Sequence, residues 1–209
     1  MYLPNHFAVT DTDEIKRFIE AVRLGAMITH DDEGYFGTHL PWIFDGKAEV
    51  GSTMIGHVAR ANPHWKHFAA GRQAMVIFTG ANAYVTPSCY PTKQETHKIV
   101  PTWAYQAVHI TGRVESFDDP TELEAAVEAL SDAMERPQPQ PWSVDEAPRD
   151  YLEMMLKGIV GIRLTIEKIE AKYKLDQNKK EQDRLGAAGG LHSLGTESGA
   201  ALAKAMTRA

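Results

Sequence analysis

The sequence predicts a mainly β fold, an antiparallel barrel that gapes on one side, with helices at its periphery. Three observations lead there. Short apolar runs recur in hairpin order between residues 25 and 114. A proline interrupts the second of them. A long alternating strand returns near the end of the chain, at residues 159 to 175. The 209 residues are 43% hydrophobic and 24% charged, which suits one globular domain with a single well-buried core.

Taken in order, Asp11-Thr12-Asp13-Glu14 is a capping-box signal, and Ile15, Phe18, Ile19 and Val22 follow at the spacing of one helical face. A first helix is expected over about residues 12 to 24. "GAMITH" then starts a strand, "DDEG" turns it and "YFGTHLPWIF" returns, the pattern of a hairpin. Pro41 cannot donate to a ladder, so its strand must lie at an edge, at a bulge or beside a ligand. "STMIGHV" reads as a third strand. Asn62 then caps a short helix with Pro63 at its first position, burying Trp65, Phe68 and Ala69 and stopping at Gly71.

"QAMVIFTG" reads as a buried strand, "AYVTPS" as a shorter one and residues 98 to 114 as the longest. Asp119-Pro120-Thr121-Glu122 repeats the cap, N1 proline and N3 acid signature ahead of a helix ending near Met134. The Pro-rich "RPQPQPW" is a stiff strap, "APRDYLEMMLKG" a second short helix, and "IVGIRLTIEKIEAKYKL" the last strand, alternating Ile162, Leu164 and Ile166 with polar neighbours. The division expected is a domain over residues 1–184 and a Gly/Ala-rich tail over 185–209 that frays or forms at best a short helix.

Bulk properties restrict function. No apolar run approaches the ~20 residues of a membrane span, and "MYLPNHF" lacks a signal-peptide layout, so a cytoplasmic protein with no membrane association is expected. A single cysteine, Cys89, gives no internal disulfide framework. The net charge of −6 opposes polyanions, and no helix-turn-helix pattern is present, so direct DNA binding is disfavoured. The basic run at residues 168 to 184 has acids interleaved and reads as a solvated junction.

Four patterns bear on chemistry. In "GHVARANPHW" a strand ends at His57-Val58, Arg60 follows and a capped helix begins, so an anion could sit at Arg60 and Asn62; the alternative is a plain cap with a solvated arginine. Residues 98 to 114, read with a period of two, put Thr102, Ala104, Gln106, Val108, Ile110 and Val114 on an interior face. Trp103, Tyr105, His109 and Arg113 fall on the other, a surface for a planar polar ligand, a subunit interface, or both. Nine histidines, with His57, His64 and His67 close in sequence, raise metal binding, but no His-Glu-x-x-His or paired-cysteine pattern accompanies them. Ser88 lacks a nucleophile elbow, and no Walker loop or dinucleotide fingerprint occurs.

Six segments in order, "MYLPNHF", "THLPW", "GHVARANPHW", "YVTPSCYP", "KIVPTWAY" and "KYKLDQNKKEQDR", resemble the PaiB-type FMN-binding negative transcriptional regulators, members of the FMN-binding split-barrel fold. The resemblance implies a six-stranded antiparallel split β-barrel that forms a homodimer with FMN at the subunit interface. It implies that Thr38, His39, Leu40 and Pro41 lie along the flavin ring and that His57, Val58, Arg60 and Asn62 hold the ribityl phosphate. Ser88, Thr102, Trp103 and Gln177 would come from neighbouring strands or the partner subunit. Cys89, Ala104 and Asp176 depart from the family's Trp, Asn and Ser, which removes a stacking surface and an amide and adds a negative charge near the expected groove. Three functions follow: a flavin-binding regulator that senses redox state or acts through a partner, an FMN-dependent oxidoreductase using a reduced nicotinamide, and a binding module without cofactor.

Overall fold

The computed structural model describes residues 1–68 and 71–209; Ala69, expected on the buried face of the short helix, lies outside them. Residues Thr12–Phe78 and His109–Ile169 form one compact unit, and Met1–Asp11, Thr79–Val108 and Glu170–Ala209 another. The strands are β1 (Ala8–Val9), β2 (Leu24–Asp31), β3 (Gly34–Pro41), β4 (Ile43–Asp45), β5 (Thr53–Ala59), β6 (Arg72–Val85), β7 (Thr102–Phe117) and β8 (Ile159–Lys174). Their order is β3-β2-β6-β7-β8-β5-β4, with β1 paired to β8. The fold class is the one expected: mainly β, an antiparallel split barrel with flanking helices.

The strand count differs from expectation. Six long strands are present, β2, β3, β5, β6, β7 and β8, but two short ones join them. The expected second strand breaks at Trp42 into β3 and β4, because Pro41 ends the pairing with β2 at Leu24 and the chain turns there. "QAMVIFTG" and "AYVTPS" fuse into the 14 residues of β6, since Gly80 to Asn82 carry no turn strong enough to end a strand. The longest expected strand starts later, at Thr102, after Pro101.

In the unit holding Thr12–Phe78, α1 (Thr12–Val22) buries Ile15 and Ile19 and ends at Arg23, whose φ of 58° reverses the chain into β2. The carbonyl of Arg23 accepts the N–H of Trp42 at 3.1 Å. The β2–β3 hairpin pairs Leu24 with Pro41 through Asp31 with Gly34. β3 is therefore an edge, one of the three settings its proline allowed. β3 and β4 stand at opposite ends of the strand order yet are joined by a single residue, so the sheet of this unit curls back on itself. β3 comes close to β5 at Gly56. A Cβ there would lie 2.8 Å from Leu40 Cδ1 and 2.9 Å from the Pro41 carbonyl. Met27, Trp42, Met54, Val76, Phe78, Ile110, Ile162 and Leu164 are fully buried in the curl. The face expected to be interior on β7 is the buried one, with Ala104, Val108, Ile110 and Val114 almost inaccessible.

The helix α3 (Pro120–Glu135) starts as its sequence signature required, with Asp119 accepting from the N–H groups of Thr121 and Glu122 at 3.0 Å each. Helix α4 (Arg149–Leu156) packs Leu152 and Leu156 against Leu123 of α3. The segment after Asn62 is a 3-10 helix, Pro63–Phe68.

In the other unit, α2 (Thr92–Thr96) adds a short helix that the sequence pattern had not marked. The tail folds where fraying was expected, into α5 (Glu181–His192) and α6 (Glu197–Met206). Its glycines serve close packing. A Cβ at Gly186 would lie 2.3 Å from the Cys89 carbonyl oxygen, and one at Gly190 would lie 2.1 Å from Cys89 Sγ. No helix among the described residues is long and apolar enough to cross a membrane.

Candidate functional site

A hydrogen-bonded cluster forms where β3, the end of β5 and the Pro63–Phe68 turn meet. Thr38 Oγ1 lies 2.8 Å from His64 Nδ1 and accepts from Asn62 Nδ2 at 3.2 Å. The other ring nitrogen of His64 lies 2.8 Å from Thr29 Oγ1. Asn62 Oδ1 accepts the backbone N–H of His64 at 3.0 Å, which is the cap expected at that position. Thr38 and Asn62 are thus brought together, and His64 is the residue that joins them.

His64 is fully buried, with the Phe36 ring 4.5 Å and the Phe68 ring 4.9 Å from its own. Burial, reinforced by the neighbouring His67, pushes its pKa down to about 4. A neutral imidazole donates through one nitrogen and accepts through the other, so the two threonine hydroxyls bond it in complementary senses. Alongside, His67 Nδ1 meets Asp31 Oδ2 at 2.6 Å, a contact that lowers the Asp31 pKa.

His57, on β5, is the other informative histidine. Its Nδ1 is buried and has no hydrogen-bond partner among the described residues, a condition it shares with the indole N–H of Trp42. Burial lowers its pKa, so the ring is neutral at neutral pH. An unsatisfied buried nitrogen costs about 1–3 kcal/mol. Val58, next in the strand, points into the core, as does Leu40; Pro41 ends β3 and His39 is exposed on its outer side.

Arg60, expected to hold an anion with Asn62, is engaged within the protein. Its Nε and Nη2 donate to the carbonyls of Lys157 and Ile159 at 2.9 and 3.0 Å, and Nη1 stands 3.5 Å from Asp118 Oδ2. Arg60 and Asn62 therefore bond different partners. The 3-10 geometry of Pro63–Phe68 also lacks the aligned peptide dipoles of a longer α-helix.

The remaining expected residues lie in the other unit. The Thr102 hydroxyl and the Trp103 carbonyl both receive the ammonium of Lys174, the latter at 2.8 Å. The Trp103 indole is half exposed, with the ring of Tyr84 6.3 Å away. Ser88 is exposed and accepts from Lys93 at 3.1 Å. Gln177 bonds its own turn, donating to the Tyr173 carbonyl and accepting from the Leu175 N–H. Tyr105 is less free than its exposed face suggested, since its ring flanks the buried Lys172 ammonium at 5.5 Å, with Tyr2 and Phe7 on other sides.

The three departures from the family pattern have structural accounts. Cys89 packs onto α5, where only a small side chain fits against Gly190. Ala104 is buried. Asp176 is buried and accepts the Tyr90 hydroxyl at 2.7 Å; burial, and then this bond, drive the Tyr90 pKa far above the ordinary phenol range. From the sequence alone, His64 stands out only as one of three closely spaced histidines that could ligate a metal. The available signal was its place two residues after a capping asparagine.

The curled antiparallel sheet, broken at Trp42 with hydroxyl, amide and imidazole groups clustered beside its edge, is a split barrel. Comparison with known proteins makes the assignment. Residues 1–168 match the family described as "Putative FMN-binding domain"; the chain belongs to that family, and FMN is the cofactor that membership assigns. The chain is 36% identical over 183 residues to "Protease synthase and sporulation protein PAI 2" of Bacillus subtilis (strain 168), covering 88% of this chain and 85% of that protein. Its fold resembles a conserved hypothetical protein of Mycobacterium tuberculosis (TM-score 0.60, 12% identity, 86% of this chain and 94% of that one). It also resembles an FAD and heme binding protein of Mycobacterium smegmatis (TM-score 0.55, 14% identity, 80% and 73%).

Proposed function

We propose that the protein is a PaiB-like regulatory module of the cytoplasm, a homodimer that binds FMN and responds to the redox state of the flavin. The observation that carries the reading is His57, whose buried Nδ1 has no partner among the described residues. A phosphorylated flavin presents oxygen and nitrogen atoms that such a ring can bond, so the donor set fits the cofactor. Thr38 and Asn62 are held ready by His64 and join His57 as the groups that bind it.

When bound, FMN supplies reversible electron transfer; the chain binds it, orients it and keeps water from the buried side of the site. The neutral state of His57 lets its ring accept or donate as the cofactor requires. The half-exposed Trp103 beside Tyr84 supplies aromatic surface suited to a second copy of the chain. The name of the Bacillus subtilis relative includes sporulation, a cellular programme, and this supports regulation over turnover. With a net charge of −6, regulation is expected to run through a protein partner.

Sedimentation of the FMN-loaded protein, oxidised and chemically reduced, tests the reading. The expectation is a dimer whose dissociation constant changes at least several-fold on reduction, with NADH oxidation no faster than a free-FMN control. A strict monomer in both states, or rapid turnover of NADH, contradicts it.

A further inference from the structure

A second concavity lies apart from the Thr38–His64 cluster. It is a pocket of about 280 Å³ between α3, α4 and the end of β5. Its floor is apolar, made by Pro120, Leu123 and Leu156, and it opens from the small core that Leu123 and Leu156 share with Leu152 and Val144. Its rim is charged. Arg60, Arg149 and Lys157 face Asp118 and Glu153, and Glu124 of α3 pairs with Arg149 from behind the rim.

The rim cations differ in what already satisfies them. Arg149 is held by Glu124 of α3, with Nη2 to Oε2 at 2.9 Å, and by Glu153 at 3.0 Å, so it clamps the two helices together. Arg60 is tied to carbonyls and, at 3.5 Å, to an Asp118 carboxylate that is itself mostly exposed. The Lys157 ammonium makes no hydrogen bond or ion pair among the described residues. One unpartnered cation therefore stands at the mouth of a pocket whose interior is hydrocarbon.

We propose that this pocket binds a small monocarboxylate with a compact apolar body, such as an aromatic acid of one ring. The volume sets the size, being just below the ~300–1,000 Å³ typical of drug-sized ligands and so too small for a flavin. The apolar floor takes the ring. The unpaired ammonium sets the headgroup: a single carboxylate pairs with Lys157 and with the N–H groups of Arg60 that the carbonyls do not use. A dianion would leave a surplus negative charge beside Asp118 and Glu153. The site is independent of the flavin reading, because it uses neither His57 nor Thr38.

The test is calorimetric titration of the purified full chain, as isolated, with benzoate, with benzyl alcohol as the neutral isostere and with acetate as the headgroup alone. Saturable one-to-one binding of benzoate is expected, with both controls at least tenfold weaker. Lys157→Ala, an exposed substitution that leaves the floor intact, is expected to weaken benzoate about tenfold, and Leu123→Phe, which narrows the pocket, to weaken it further. Absence of benzoate binding, equal binding of benzyl alcohol, or an unchanged affinity in Lys157→Ala overturns the proposal. FMN content, read from the visible spectrum of the same samples, reports separately on the flavin reading.

Discussion

His64 shows how much of the candidate site depends on one side chain. It is fully buried, its two ring nitrogens meet two threonine hydroxyls, and its pKa lies at about 4 against an ordinary 6.5. The unfolded chain therefore binds a proton between those values that the folded chain refuses. Its contribution to stability is complete above pH 6.5 and is lost as pH falls from there toward 4, by up to about 1.4 kcal/mol per unit for one such site. Urea midpoints at pH 7 and pH 5 should differ in the native protein and differ less in His64→Gln. Equal losses in both would assign the acid sensitivity to other groups.

At this scale the sequence showed the residue types but not their pairings. The cap at Asn62 is a local pattern and was legible, whereas its hydrogen bond to Thr38, on another strand, was not. The turning of Arg60 toward the carbonyls of Lys157 and Ile159, about a hundred residues away in the chain, has no local signature. The same holds for the His57 nitrogen that has no partner among the described residues, which depends on burial by distant strands.

Among the elements, those with a strong period or cap were legible: α1 from its apolar face, α3 from Asp119 and Pro120, β8 from its alternation. The C-terminal helices were not. Glycine and alanine in "LGAAGG" read as a loose tail because glycine costs a helix about 1 kcal/mol relative to alanine. The benefit that outweighs this cost is close approach to the turn at Cys89, and only tertiary packing reveals it. Gly186→Ala should accordingly lower the melting temperature, although alanine favours helix, because its Cβ would fall 2.3 Å from the Cys89 carbonyl oxygen. Overpacking of this kind costs about 1–3 kcal/mol. Gly189→Ala, with open space at its Cβ, should be neutral or stabilising and is the internal control. A higher melting temperature in Gly186→Ala would mean that α5 does not pack as described.

Over the whole chain, the mainly β class followed from hairpin spacing, while the strand count did not. Pro41 signalled an interruption, but whether a strand pauses or divides depends on where its neighbours run, here across Trp42 to the opposite end of the strand order. The same break leaves β3 as an edge that runs beside β5. Family membership supplies the identity of the cofactor.

The measurement that bears most directly on this account is a calorimetric titration of the flavin-free chain with FMN, run in parallel on His57→Ala. The account predicts one FMN per chain in the native protein and an affinity about tenfold or more lower in the variant, the loss of one buried hydrogen bond of about 1.4 kcal/mol. No binding to the native chain, or equal affinity in the two proteins, would contradict it.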